Sequence, residues 1–124
     1  MSLSSAALEE FGHSLGLPDL QWPQSGVLAL NFDMRGTLFL EDHDNELLVY
    51  LVRQIRQPEQ TFTILKTALR RCHYRQGLPF AVQAGLRGET DLVFLVRLAS
   101  RDVSLPELEQ VLEILTNLHA AVQA

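Results

Sequence analysis

The densest run of side chains able to hold a metal ion or move a proton is Glu41-Asp42-His43-Asp44-Asn45-Glu46. Carboxylates are hard oxygen ligands and an imidazole adds a nitrogen donor, so a divalent cation, or acid–base chemistry centred on His43, is what this run would support. It lacks the Asp-x-Asp-x-Asp-Gly order of a calcium loop. It also lies between two apolar stretches, where a polar turn is expected for solubility alone, and the solvated turn is the preferred reading. Cys72 and His73 adjoin, but successive residues on a helix point about 100° apart. A thiol–imidazole pair is therefore disfavoured, and Cys72 reads as a small hydrophobe on an apolar stripe. His13, His73 and His119 fall on polar or boundary sides of helices, and no two histidines stand four apart to share a metal.

Other chemistries lack their signatures. There is no Gly-x-Ser-x-Gly elbow. Gly85 and Gly88 bracket a hairpin rather than opening a helix, so they do not form a phosphate loop. Arg70, Arg71 and Arg75 make a small basic area. It reads as a solvated helix face with charge that suits the helix C-terminus, or alternatively as a salt-bridging rim at a protein interface. With no triad, metal pattern or cofactor fingerprint, the residues point away from an enzyme and imply no cofactor. A small α+β enzyme using His43 and nearby carboxylates is kept as the alternative from another class.

The elements that would position these groups are legible from spacing. A first helix is predicted over about Ser5–Leu15, with Ser4 or Ser5 as cap and Leu8, Phe11 and Leu15 on one stripe. Gly16-Leu17-Pro18 stops it, and Gly77-Leu78-Pro79 repeats the same stop later. Leu17–Gly26 is a loop. Strands are predicted over Val27–Asp33, Thr37–Glu41 and Leu47–Arg53, joined by a hairpin at Asp33–Gly36 and a longer turn at Glu41–Glu46. The third is apolar at nearly every position, as expected for a strand covered on both faces.

A second helix is predicted over about Pro58–Gln76, with Phe62, Leu65, Leu69 and Cys72 as its main stripe and Ile64 and Ala68 widening it. Strands Phe80–Leu86 and Thr90–Ala99 form another hairpin, and Leu92–Val96 is again apolar on both faces. Ser104 and Glu107 make a capping box for the last helix, whose stripe is Leu108, Val111, Leu112, Leu115, Leu118 and Val122. The order is α-β-β-β-α-β-β-α, an α+β fold with an antiparallel sheet covered by helices.

The 124 residues imply a single domain over residues 1–124, long enough for a core without disulfide or metal. Ten Lys and Arg against fifteen Asp and Glu give a net charge of −5, which argues against nucleic acid as a partner. No apolar run reaches the roughly 18 residues that span a bilayer, so membrane insertion is not expected. Neither a signal peptide nor a pair of cysteines is visible, and the expected compartment is the cytoplasm. The chain is rich in apolar faces. Either it presents an interaction surface, or three helices simply cover the sheet.

The element order and several ordered motifs resemble the class I type III secretion chaperones, closest to their SycN branch. The motifs are Phe-x-x-x-Leu-Gly-Leu at Phe11–Leu17, Gly36-Thr37-Leu38-x-Leu40-Glu41, Leu78-Pro79-Phe80, Gly85-Leu86-x-Gly88-Glu89, and Asp91-Leu92-Val93 leading to Leu105-Pro106-x-Leu108. The resemblance implies a bacterial cytoplasmic chaperone, peripheral to the secretion apparatus at the inner membrane, that works by binding and uses no ATP. It implies pairing with a second, YscB-like chaperone. The pair would hold the N-terminal region of a secreted YopN-like gatekeeper in an extended, export-ready form. The alternative within the fold is a homodimer serving the N-terminal segment of one virulence effector.

The same resemblance places the dimer seam on the second helix and the strand after it, with Ile64, Ala68, Tyr74, Phe80 and Val82 as candidates. It places cargo on the first helix and strand faces, with Leu8, Phe11, Leu28, Leu30, Leu38 and Leu40 as candidates; ordinary core is the competing reading for all of these positions. On this division Leu69→Asp should unfold the chain, whereas Ile64→Asp should leave it folded and abolish dimerisation.

Overall fold

A computed structural model describes residues 5–73, 76–100 and 103–123. Helix α1 spans Ser5–Ser14, strands β1, β2 and β3 span Val27–Phe32, Gly36–His43 and Glu46–Gln54, and helix α2 spans Thr61–Arg71. Strands β4 and β5 then span Val82–Arg87 and Asp91–Ala99, and helix α3 spans Leu105–Val122. The predicted order is the observed one. All strand pairs are antiparallel, and the sheet runs β1-β2-β3-β5-β4.

Local chemistry sets most boundaries. Helix α1 ends as its glycine demands: Gly16 has φ +77°, the Leu17 amide donates to the Gly12 carbonyl at 2.7 Å, and the Gly16 amide donates to the His13 carbonyl at 3.1 Å. These two bonds are the Schellman pair that satisfies the last carbonyls of a helix. Its predicted cap at Ser4 or Ser5 lies outside the described side chains. Helix α3 begins at the predicted box, where the Glu107 amide donates to Ser104 Oγ at 3.4 Å and the Ser104 hydroxyl donates to the Glu107 carboxylate at 3.3 Å.

Boundaries differ from expectation at the β2–β3 turn, at both ends of α2 and at the start of β4, which begins at Val82 rather than Phe80. Strands β2 and β3 continue to His43 and Glu46, which pair directly. The turn therefore shrinks to Asp44-Asn45, both at positive φ (47° and 67°), a conformation that Asp and Asn tolerate. Helix α2 is preceded by a 3₁₀ turn at Pro58–Gln60 and ends at Arg71, short of Gln76. Gly77 does adopt positive φ, at +70°, but it follows the end of the helix by several residues.

The core lies on one side of the sheet. Leu30, Leu38, Leu40, Leu47, Val49, Leu51, Leu92, Phe94 and Val96 point toward Leu8 and Phe11 of α1, Ile64 and Ala68 of α2, and Leu108, Val111 and Leu115 of α3. Each large apolar side chain so buried contributes roughly 1.5–3 kcal/mol. The register assigns Phe39, Leu48, Tyr50, Val93 and Leu95 to the opposite side, where they are half-buried and no described helix packs. The expectation that β3 and β5 are covered on both faces is thus corrected: buried and half-buried residues alternate over Glu46–Leu51 and Asp91–Val96, with Val52 the buried residue on the helix-free side.

Candidate functional site

The acidic turn is dispersed by the fold. Glu41 and Asp42 point to opposite faces of β2, while His43 and Asp44 sit in solvent with His43 Nε2 3.4 Å from Asp44 Oδ2. Glu46 instead pairs with Arg97 across the sheet at 3.0 Å. The described residues contain no group of three or more His, Cys, Asp or Glu arranged to hold a metal ion. Cys72 caps α2 and is half-buried, and burial pushes its thiol up to about 11, so it is not a nucleophile at neutral pH.

His119 is the polar residue the spacing misplaced. It lies on the core stripe of α3, completely buried, rather than on a polar side. Its Nε2 is 2.8 Å from the Leu51 carbonyl oxygen; a carbonyl only accepts, so Nε2 carries the proton. The ring meets Phe94 edge-on at 4.8 Å, and Nδ1 has no partner. Burial pushes the imidazole down to about 4, against the Leu51 bond, with the Arg53 charge lowering it further. The spacing 108, 112, 115, 119 was the available signal, since each step is three or four residues.

The expected division of α2 holds only in part: Leu65 and Cys72 of the main stripe pack against the core, but the other assignments are exchanged. Ile64 and Ala68, candidates for the dimer seam, are only 7% and 0% exposed and belong to the core. Phe62 and Leu69, read as core, are 77% and 53% exposed. The helix sits over β4 and beside α3, with Ile64 and Ala68 against them while Phe62 and Leu69 face out. Val82 is buried beneath it, Phe80 is half-buried against the core, and Tyr74 lies outside the described residues.

The cargo candidates are corrected in the same way. Leu8, Phe11, Leu30, Leu38 and Leu40 are buried in the protein's own core and offer no surface; Leu28 is half-buried. They fill the sheet face because α1 and α3 close over it.

Several accessible features remain on the described residues. Edge strand β1 has no neighbour on its outer side, and Met34, at the tip of the β1–β2 turn, is 84% exposed. The Asp42 amide donates to the Gly26 carbonyl at 3.2 Å, and antiparallel pairs alternate. The amides of Val27, Ala29 and Asn31 therefore point away from β2. A groove of about 510 Å³ lies between the end of α1, Arg35 and α3, floored by Leu15 and Leu112 and rimmed by Glu109 and Glu113. On the helix-free sheet face, Phe39 and Tyr50 stack 5.0 Å apart. Open backbone edges, an apolar ridge on a helix and a groove with charged rims are parts of a surface that grips polypeptide.

That architecture is the fold of type III secretion chaperones. The structure of the Yersinia pestis chaperone SycH in complex with a fragment of YscM2 superposes with a TM-score of 0.73 at 23% identity, covering 96% of this chain and 98% of that one. A chain of the ExsC–ExsE complex gives a TM-score of 0.68 at 21% identity, covering 98% and 92%. Residues 4–123 match the family described as type III secretory system chaperone SycN. The chain belongs to that family. It is 32% identical over 125 aligned residues to the chaperone protein SycN of Yersinia enterocolitica, covering 100% of this chain and 99% of the relative. No described helix is long and apolar enough to cross a membrane.

Proposed function

We propose that this chain, acting as one domain over residues 1–124, pairs with a second, YscB-like chaperone in the bacterial cytoplasm, near the export apparatus at the inner membrane. The pair holds the N-terminal region of a secreted YopN-like gatekeeper extended until export. It does so by binding alone, without catalysis or a cofactor. The observation that carries this reading is the ridge of Phe62 and Leu69. An 11-residue helix that turns a phenylalanine and a leucine to water on one face has a partner surface to cover them. Phe80, half-buried beyond the end of α2, extends the same seam. The outward amides of Ala29 and Asn31 on β1 supply a strand-addition edge for an extended segment, and Leu28 with the groove beside Arg35 supplies apolar contacts. That structural neighbours of this fold are complexes of a chaperone with a secretion protein supports binding of a polypeptide cargo.

The test is co-expression with a YscB-like subunit and with the N-terminal segment of a YopN-like protein, followed by light scattering. A 1:1 chaperone pair that retains the segment is the expected result. A stable homodimer that retains an effector segment instead would replace this reading with that of a single-effector chaperone. A monomer that retains neither would end both.

A further inference from the structure

Arg87 closes strand β4 and places its Cζ 5.0 Å from the centroid of the Phe39 ring on β2. Strands β5 and β3 lie between them. On a flat sheet three spacings separate such strands by about 14 Å, so the contact requires the sheet to coil toward its helix-free side. Phe39 is stacked on Tyr50, its register partner on β3, with the rings 13° from parallel. The Tyr50 hydroxyl donates to Glu41 Oε2 at 3.0 Å. Two aromatic faces and a carboxylate thus stand together, and both attract a planar cation.

The group resting there is the chain's own guanidinium. Arg87 forms no ion pair among the described residues, and an exposed contact of this kind is weak enough to exchange with another cation. Leu95 and Val93 border the platform, so an incoming cation can bring apolar neighbours with it.

We infer that Phe39, Tyr50 and Glu41 form a receptor for an arginine side chain of a bound partner segment, and that Arg87 is the internal occupant this arginine displaces. The identity of the partner rests on the chaperone reading; the chemistry of the receptor does not. A lysine ammonium lacks the planar face that lies over the Phe39 ring and is the poorer ligand.

The test is NMR titration of the full chain with N-acetylarginine amide, using N-acetylcitrulline amide as the uncharged counterpart. Arg87→Gln removes the competitor and is expected to bind the arginine probe about two- to fivefold more tightly than the parent. Shifts should be centred on the Phe39 and Tyr50 rings and be absent with citrulline. Phe39→Leu should abolish them, and Glu41→Gln, which leaves the ring stack in place, should weaken them. Equal response to both probes, shifts centred elsewhere, or no gain in Arg87→Gln would overturn the receptor. A chain that captures a secreted segment without these shifts overturns the receptor alone. One that shows the shifts but captures no segment overturns the chaperone reading alone.

Discussion

The imidazole of His119 donates from Nε2 to the carbonyl of Leu51 at 2.8 Å, fastening the last helix to the central strand of the sheet. A backbone carbonyl within a strand ladder rarely has a side-chain donor, and here the donor is completely buried.

Burial of that imidazole makes stability pH-dependent, with the Leu51 bond opposing the shift. The imidazole titrates near 4 in the folded chain and near 6.5 when unfolded. As pH falls below 6.5 the unfolded state takes up the proton first, so stability drops through the window from 6.5 to 4 and this group contributes no further change below it. The loss is about 3 kcal/mol. Urea unfolding at pH 7 and pH 4 should show that the parent loses about 3 kcal/mol more than His119→Leu over that interval.

The two faces of α2 should separate by substitution. Ile64→Asp puts an unpaired charge in the core and should unfold the chain. Ile64→Ala should cost about 2–4 kcal/mol. Phe62→Ser and Leu69→Ser should leave the unfolding midpoint within about 0.5 kcal/mol of the parent and weaken subunit pairing. Circular dichroism and light scattering on the same samples check both halves.

Gly36 has φ +104°, and a methyl group there would run into the Val52 carbonyl of the neighbouring strand. Gly36→Ala combines strained backbone with a backbone clash and should cost about 2–4 kcal/mol in chemical denaturation. Gly88→Ala is the control for backbone conformation alone, because φ is +66° but open space surrounds the site; it should cost about 1 kcal/mol.

Ala29 is exposed on β1 with its amide turned away from β2. Ala29→Pro removes that outward donor and keeps the β1–β2 ladder, since proline is tolerated on edge strands. The fold should persist by circular dichroism, while retention of an extended segment falls at least about tenfold, the equivalent of one or two backbone bonds.

The legible parts of this fold were those governed by local rules. Ser104 and Glu107 announced α3, Gly16 announced the end of α1, alternation placed β1, and continuous apolar runs between turn residues placed β3 and β5. What escaped was tertiary. The pattern in α2 shows apolar residues on two sides, but which side meets the sheet depends on how closely the helix must approach β4. There Ala68 and Ile64 fit and Phe62 does not. Ile64, Ala68 and Val82 of the expected seam and Leu8, Phe11, Leu30, Leu38 and Leu40 of the expected cargo surface lie in the core for this common reason: hydrophobic spacing marks what is removed from water without saying by which chain. His119 escaped because its type suggested solvent although its position continued the stripe of Leu108, Leu112 and Leu115. The Arg87–Phe39 contact had no sequence signal, because only coiling of the whole sheet joins β4 to β2.

Among the described residues the sheet ends in two rims of equal length, β1 and β4, each of six residues with no strand beyond it. Joining the first rim of one copy to the last rim of the next is a head-to-tail contact, which ends in a ring where the rotation closes and in a fibre where it does not. Such a route would be open to a crowded stock of lone subunits. Keeping synthesis of the subunit matched to that of whatever caps its rims would be protection against that polymer as much as preparation for export.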